Sequence, residues 1–258
     1  MRYTEFGSLT LQQIDAEDVL DPQPSVDPMI ETASGPYDVF GSKRVFGRYV
    51  VSKAVTVHNA TSGGLDTDLD TLRSYEGKQD TLVAEMADLS ERSAIARLLR
   101  ISTARTRRNF NFQPVVLTWE IMTSWYGGLN QNNEAMASSP HSITAAFCAN
   151  AGNKADKNAI FAITAGAAAI TAITLAKSGS SDIDWTGTVT AGQAIVFDCG
   201  QRTVKNNGVD AFSGFSFGGS HVIDDWIVLE PGANAITVTF TGGSTNSDVK
   251  VSRRDYFY

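Results

Sequence analysis

Along residues 48–58 (RYVVSKAVTVH) apolar and polar positions alternate, with Tyr49, Val51, Val55 and Val57 on one face and Lys53 as the exception. A period of two predicts a strand with one buried face. After Gly63 and Gly64 the period changes: Leu65, Leu69, Leu72 and Tyr75 recur every three or four residues, which predicts one helix of about three turns ending near Gly77. Thr67, three residues before Asp70, resembles a capping box for it. Residues 81–119 carry both signals. Leu82, Ala84 and Met86, and later Val115, Leu117, Trp119 and Ile121, keep the strand period, whereas Ile95, Leu98, Leu99 and Ser102 fit a helical face, so periodicity alone makes 91–105 a helix.

The second half reads as short β-like runs between turn signals, the pattern of an all-β sandwich. The predicted strands are 142–148, 160–164, 170–175, 194–198, 202–205, 223–229, 235–241 and 248–253, with tight turns at Asn206-Asn207-Gly208 and Pro231-Gly232. Residues 159–176 run 18 positions without a charge, the lower length limit for a membrane-spanning helix. Their many alanines and threonines, with β-branched residues at period two, predict two strands about a small-residue turn near Gly166 instead. Residues 15–38 hold Pro22, Pro24, Pro28 and Pro36 among many acids and predict an extended loop or arm.

Composition narrows the function. The 258 residues allow one or two domains with a normal core. Lys and Arg number 21 against 28 Asp and Glu, a formal charge of −7, which argues against a general nucleic-acid binder. Hydrophobic residues at 42% exclude a chain that is disordered overall. Residues 1–129 carry 13 basic and 17 acidic groups and 130–258 carry 8 and 11, so the halves present different surfaces. Cys148 and Cys199 are too few for a disulfide scaffold and have no CxxC spacing, which favours a reduced, cytoplasmic folding environment. The first residues contain no apolar run of signal-peptide length, so no Sec export is expected.

The search for chemistry yields little. His58, His141 and His221 are scattered, and none has a second ligand at metal spacing. Asp66, Asp68 and Asp70 mimic the start of a calcium loop, but Thr71 replaces its glycine and Gly77 its final glutamate, so they read as acids in a first helical turn. Asp182 with Asp184, and Asp224 with Asp225, offer carboxylate pairs for sugar hydrolysis, a pattern that polar positions on a half-exposed sheet also produce. Arg105, Arg107 and Arg108, followed by Phe110 and Phe112, form the one basic cluster; an exposed loop between strands or an inter-subunit ion-pair site for the acidic arm explains it better than stacking of single-stranded nucleic acid. Trp185, Trp226 and Phe215 would make a sugar platform if exposed and core if not. Cys148 and Cys199 lack a base and read as small core residues. No catalytic, cofactor-binding or metal residue is assigned.

The order of segments is more telling. Gly35-Pro36-Tyr37-Asp38-Val39-Phe40-Gly41, the strand at 47–57, the acidic helix at 65–75, the run 92–102 (RSAIARLLRIS) and 113–127 (QPVVLTWEIMTSWYG) follow one another in the first half. Asn150-Ala151-Gly152-Asn153, the run 195–210 (IVFDCGQRTVKNNGVD) and 229–238 (LEPGANAITV), before a terminal aromatic strand, follow in the second. In this order the sequence resembles the distal tail proteins of long-tailed, non-contractile bacteriophages, the siphophage tail-tip or baseplate hub family. The resemblance implies a mainly β fold: an N-terminal belt domain over 1–128, a split β-barrel with one α-helix, then a galectin-like or carbohydrate-binding-module-like β-sandwich over 129–258 whose last strand returns to the belt. It also turns 92–102 into a strand, against the periodicity.

The function so implied is structural and non-enzymatic: a homo-hexameric ring at the distal end of the tail tube, joining tube to tail tip and anchoring receptor-binding components. Expected partners are the tail tube protein, the tail-tip hub protein, the tape measure and receptor-binding proteins, with no cofactor, no membrane and no specific nucleic acid. The expected place is the virion tail tip, after assembly in the host cytoplasm. The alternative is a lectin-like, host-glycan-binding tail module; an enzyme reading as a glycan hydrolase has only the carboxylate pairs to support it.

Overall fold

A computed structural model describes residues 2–11, 49–86, 89–103, 112–218, 225–243 and 246–257. The predicted arm at 15–38, the segment 35–41, Arg105, Arg107, Arg108, Phe110, His221 and Asp224 lie outside the described residues. The chain divides into two compact units, Met1–Trp125 and Tyr126–Phe257.

The first unit is one antiparallel sheet with a helix. Its strands are β1 (Arg2–Phe6), β2 (Leu9–Thr10), β3 (Tyr49–His58), β4 (Gln79–Glu85), β5 (Glu91–Thr103) and β6 (Phe112–Ile121), in the order β3-β6-β5-β4-β1-β2. The alternation seen in the sequence puts Val51, Leu82, Ala84, Val115, Leu117, Trp119 and Ile121 inside. Tyr3 and Phe6 join them, with ring centroids 5.5 Å and 6.3 Å from Trp119. Helix α1 (Ser62–Arg73) buries Leu65, Leu69 and Leu72 along its apolar stripe.

Two expectations need correcting here. The helix starts five residues before the predicted capping box: Thr61 is the cap, its Oγ1 accepting from the Gly64 N–H at 3.1 Å, while Thr67 lies mid-helix and donates to the Gly63 carbonyl. Glu91–Thr103 is a strand, as the resemblance implied and the periodicity denied. The cause is a bulge: Ala94, Ala96 and Leu98 alternate into the core, then the register with β6 shifts between Leu98 and Arg100. Leu99 is the extra residue, and its 40% exposure beside buried Leu98 creates the false helical pair.

The second unit consists of two antiparallel sheets that share one hydrophobic core. Strand β7 (Trp125–Met136) leads into β8 (His141–Ser142) and the short helix α2 (Ala145–Cys148). Then follow β9 (Ile160–Thr164), β10 (Ile170–Lys177), β11 (Asp182–Val189), β12 (Ala194–Asp198), β13 (Thr203–Asn206), β14 (Val209–Asp210), β15 (Phe215–Gly218), β16 (Ile236–Gly242) and β17 (Ser247–Phe257). One sheet contains β14-β13-β12-β9-β17-β7 and the other is β15-β11-β10-β16-β8. Phe161, Ile163, Phe197, Val249 and Val251 from the first meet Ile173, Leu175, Ile183, Trp185 and Val238 from the second.

Most predicted strands are found, with two exceptions. Residues 142–148 hold only the end of β8 and then α2. Residues 225–230 are irregular apart from isolated bridges, among them Leu229 to Asp156. The uncharged run does form two strands, yet they do not pair: β9 lies between β12 and β17, and β10 between β11 and β16, so the chain crosses from one sheet to the other near Gly166. No helix among the described residues is long and apolar enough to cross a membrane. The mainly β expectation thus holds, and no closed barrel is present among the described residues.

The bulge gives a sharp test of β5. Leu98→Ala, at a fully buried position, should lower the unfolding free energy by about 2–5 kcal/mol. The neighbouring Leu99→Ala should cost under about 1 kcal/mol, because an exposed side chain leaves no cavity. Urea titrations of both variants provide the comparison.

Candidate functional site

Two segments singled out in the sequence, Asn150-Ala151-Gly152-Asn153 and the run 229–238, come together in the second unit. The Asn150 N–H donates to the Gly232 carbonyl at 2.9 Å and the Gly232 N–H donates back at 2.8 Å. The Asn150 Nδ2 donates to the carbonyls of Leu229 (3.0 Å) and Lys154 (2.8 Å), and its Oδ1 accepts from the Gly152 N–H at 2.9 Å. Asn234 fills the Pro231-Gly232 turn from the other side. Its Oδ1 accepts from the Glu230 N–H at 3.0 Å, and its Nδ2 faces the carbonyls of Glu230 (2.8 Å), Cys148 (3.1 Å) and Gly232 (3.2 Å). Both amides are buried, so each replaces a backbone partner that an irregular segment lacks.

The end of β17 locks onto the same place. The Ala151 N–H donates to Asp255 Oδ1 at 2.8 Å, Arg253 Nη1 donates to the same oxygen at 2.6 Å, and Asn130 Nδ2 donates to Oδ2 at 3.2 Å. Arg253 Nε donates to the Phe147 carbonyl at 3.0 Å. Fully buried Asp156 accepts from the N–H groups of Asn158 (2.7 Å) and Arg254 (3.0 Å). Burial pushes its carboxyl above the usual range, a shift that those two amides and the Arg253 charge offset only in part. A Cβ added at Gly152 would come within 2.0 Å of the Tyr256 carbonyl oxygen, so the turn admits glycine alone. The charged groups here are occupied by one another and by backbone. The arrangement is a clamp and presents no group free to react.

Asp182 and Asp184 share one face of β11, where Asp184 accepts from the Thr174 hydroxyl. Asp225 accepts from the Trp226 N–H at 2.8 Å and lies 3.6 Å from Arg202 in an exposed pair. Trp185 is 3% exposed and donates from Nε1 to the Ala211 carbonyl at 2.9 Å, and Trp226 is 6% exposed. Phe215 is stacked between Phe212 and Trp226, at centroid distances of 4.8 Å and 4.9 Å. Trp185 and Trp226 are core and half-buried Phe215 packs against it, so the two tryptophans do not form the exposed sugar platform the glycan reading needs. Phe212, which the sequence reading passed over, carries the exposed face of that stack.

Both cysteines are buried, and desolvation pushes their thiols up to about 12, which keeps them protonated at neutral pH. His58 ends β3 and Phe112 begins β6. His141 Nε2 lies 3.6 Å from Glu134, whose carboxylate also accepts from the Thr144 N–H and hydroxyl. Partial burial pushes the Glu134 carboxyl up, but the Thr144 bonds and His141 outweigh it and hold the group below its usual value. Asp66, Asp68 and Asp70 sit beyond the first turn of α1, so the helix-dipole explanation fails. Asp68 instead accepts from Asn59 Nδ2 at 2.8 Å and Asp70 pairs with Arg73 at 3.0 Å. Among the described residues no three His, Cys, Asp or Glu side chains are grouped as metal ligands.

The fold is that of a phage tail-hub protein. The chain is similar to the crystal structure of the SPP1 Dit (gp 19.1) protein, described as a paradigm of the hub adsorption apparatus in phages infecting Gram-positive hosts, with a TM-score of 0.56 at 14% identity over 85% of each chain. Two structures of the phage P2 baseplate in its activated conformation, with Ca and with Sr, match at a TM-score of 0.40 and 11% identity, covering 81% and 84% of this chain and 80% and 83% of theirs. No curated protein matches the chain. Residues 152–255 match the family of the siphovirus-type tail component, C-terminal domain. The resemblance read from the order of segments is borne out.

The clamp makes two measurable statements. Asn234→Ala should lower stability by about 1–3 kcal/mol, because the Cys148 and Glu230 backbone groups lose buried partners; a shifted urea midpoint with unchanged slope is the expected signature. Asp156 has the sign of a group whose folded pKa is raised. Its contribution is full below the ordinary carboxylate value of about 4 and is lost as pH rises through the raised one. The unfolding free energy of the wild type relative to Asp156→Asn should therefore fall as pH is raised from about 4, as read from denaturation curves across that window.

Proposed function

We propose that the protein is a non-enzymatic, ring-forming structural component at the distal end of a siphophage tail tube, where it joins tube to tail tip and anchors receptor-binding components. Residues 1–128 act as the belt, a split barrel that closes the ring, and 129–258 as a galectin-like sandwich. The ring is a homo-hexamer, with the tail tube protein on one side and the tip hub protein on the other, around a channel for the tape measure and DNA. Assembly takes place in the host cytoplasm.

One observation supports this reading above the others. Strand β3 is ten residues long and pairs with β6, and its other edge has no partner among the described residues. A long open edge is a template for another chain, and natural proteins blunt such edges or use them. Head-to-tail use of an edge generates a closed ring when the rotation closes. A net charge of −7 suits a wall beside a DNA conduit, because it offers no basic face to trap the polyanion. The glycan-binding alternative has no comparable support, since Trp185 and Trp226 are buried.

Light scattering tests the ring. The purified protein should elute with a mass about six times the 27.7 kDa of the chain, and negative-stain images of that peak should show closed rings. A monomer that persists at high concentration would sink the reading.

A further inference from the structure

Strand β16 has the composition of a strand that pairs readily. Its residues (ITVTFTG) are β-branched or aromatic up to the closing glycine, and no charge occurs anywhere in 231–247. Short uncharged segments of this kind, without proline, are the ones that pair with copies of themselves once an edge is open. One edge of β16 is taken by β10 along the whole strand, from Ile236 to Gly242.

The other edge is covered by much less. Strand β8 ends that sheet and pairs with β16 at Thr237 with Ser142 and Val238 with His141. The Ile143 N–H extends the contact to the Ile236 carbonyl at 2.9 Å, and Ser139 Oγ, a side chain in place of a backbone group, accepts from the Phe240 N–H at 2.8 Å. Residues 137–144 therefore run along the edge as a strap. Ile143 is its one buried residue, so little apolar area holds it down.

A carboxylate from the opposite sheet holds it instead. Glu134, on β7, accepts from the Thr144 N–H at 2.8 Å and from the Thr144 hydroxyl at 2.7 Å, one bond to each oxygen, and His141 Nε2 lies 3.6 Å from Oε1. One side chain thus meets the strap on both sides of Ser142 and Ile143. Natural proteins cover or charge an edge as prone to pairing as this one. Here the cover is short, and the charge sits on the residue that fastens it and not on the edge.

We propose that residues 137–144 are a strap that keeps the β16 edge closed, with Glu134 as its catch, and that the edge uncovered on release pairs with β16 of a second copy. The second copy is the occupant because the strand suits itself. Antiparallel pairing of two such edges is isologous, Thr237, Thr239 and Thr241 of both strands share one face, and no charge repels any register. The strap lies in the second unit and the ring reading rests on β3 in the first, so the two stand or fall separately.

Release of the catch tests it. In Glu134→Ala, amide exchange of the peptide 236–242, followed by mass spectrometry, should be about tenfold or more faster than in the wild type. Light scattering at matched concentration should show a mass above that of the wild type, whatever the wild-type mass is. Adding Thr239→Lys, at an exposed position of β16, places a charge on the edge; exchange should stay fast while the excess association disappears. Ser139→Ala, which removes the bond to the Phe240 N–H at an exposed residue, should shift exchange and mass in the same direction, and it carries the test if Glu134→Ala does not fold. Wild-type exchange in the folded variants would overturn the strap. Fast exchange with the wild-type mass would overturn the edge as a pairing surface, and excess association that survives Thr239→Lys would place the contact elsewhere and overturn it equally.

Discussion

Backbone groups taken out of water must find partners, and in the second unit two side-chain amides meet that demand where no strand can. Residues 149–158 and 225–235 are irregular, yet Asn150 and Asn234 between them satisfy carbonyls or amides of Cys148, Gly152, Lys154, Leu229, Glu230 and Gly232. An unpaired buried amide or carbonyl costs about 1–3 kcal/mol, so two asparagines stand in for a length of missing ladder. The position of Leu229, and with it the adjoining core residue Ile227, follows from this arrangement.

The charges beside the amides serve the same end. Arg253 is nearly buried and would be a liability alone, but Asp255 and the Phe147 carbonyl take up its donors. Asp255 in turn holds the Ala151 N–H and Asn130. A buried ion pair contributes little net stability when desolvation is counted, while removal of either partner is expensive. Its effect is to define which bonds the end of β17 makes.

How much of this the sequence conveys depends on the distance over which each signal acts. Strand β3 and helix α1 are legible because their buried residues follow a single local period. The helical misreading of Glu91–Thr103 arises where the period breaks, since a bulge at Leu99 depends on how β5 pairs with β6 and not on β5 alone. Strand β7 is missed because Gly127, Gly128 and three asparagines suppress every local strand signal; pairing with β17 overrides them. Asn150 and Asn234 are visible as motif residues, but their meeting spans 84 positions and no spacing rule announces it. The partners of Asp156 and Asp255 are invisible for the same reason. Trp185, Trp226 and Phe215 are readable as a cluster, and only packing decides that the two tryptophans face inward.

Strand β17 lies inside its sheet, flanked by β9 and β7, and Val249 faces Ile163 across a gap of more than eighty residues of chain. Neither β9 nor β7 has that neighbour until residues 247–257 have been synthesised. During translation the unit therefore remains without the middle of one sheet, and contacts of such long sequence separation form slowly even then. A nascent or truncated copy that lacks this strand leaves β9 and β7 each without the neighbour that joins them.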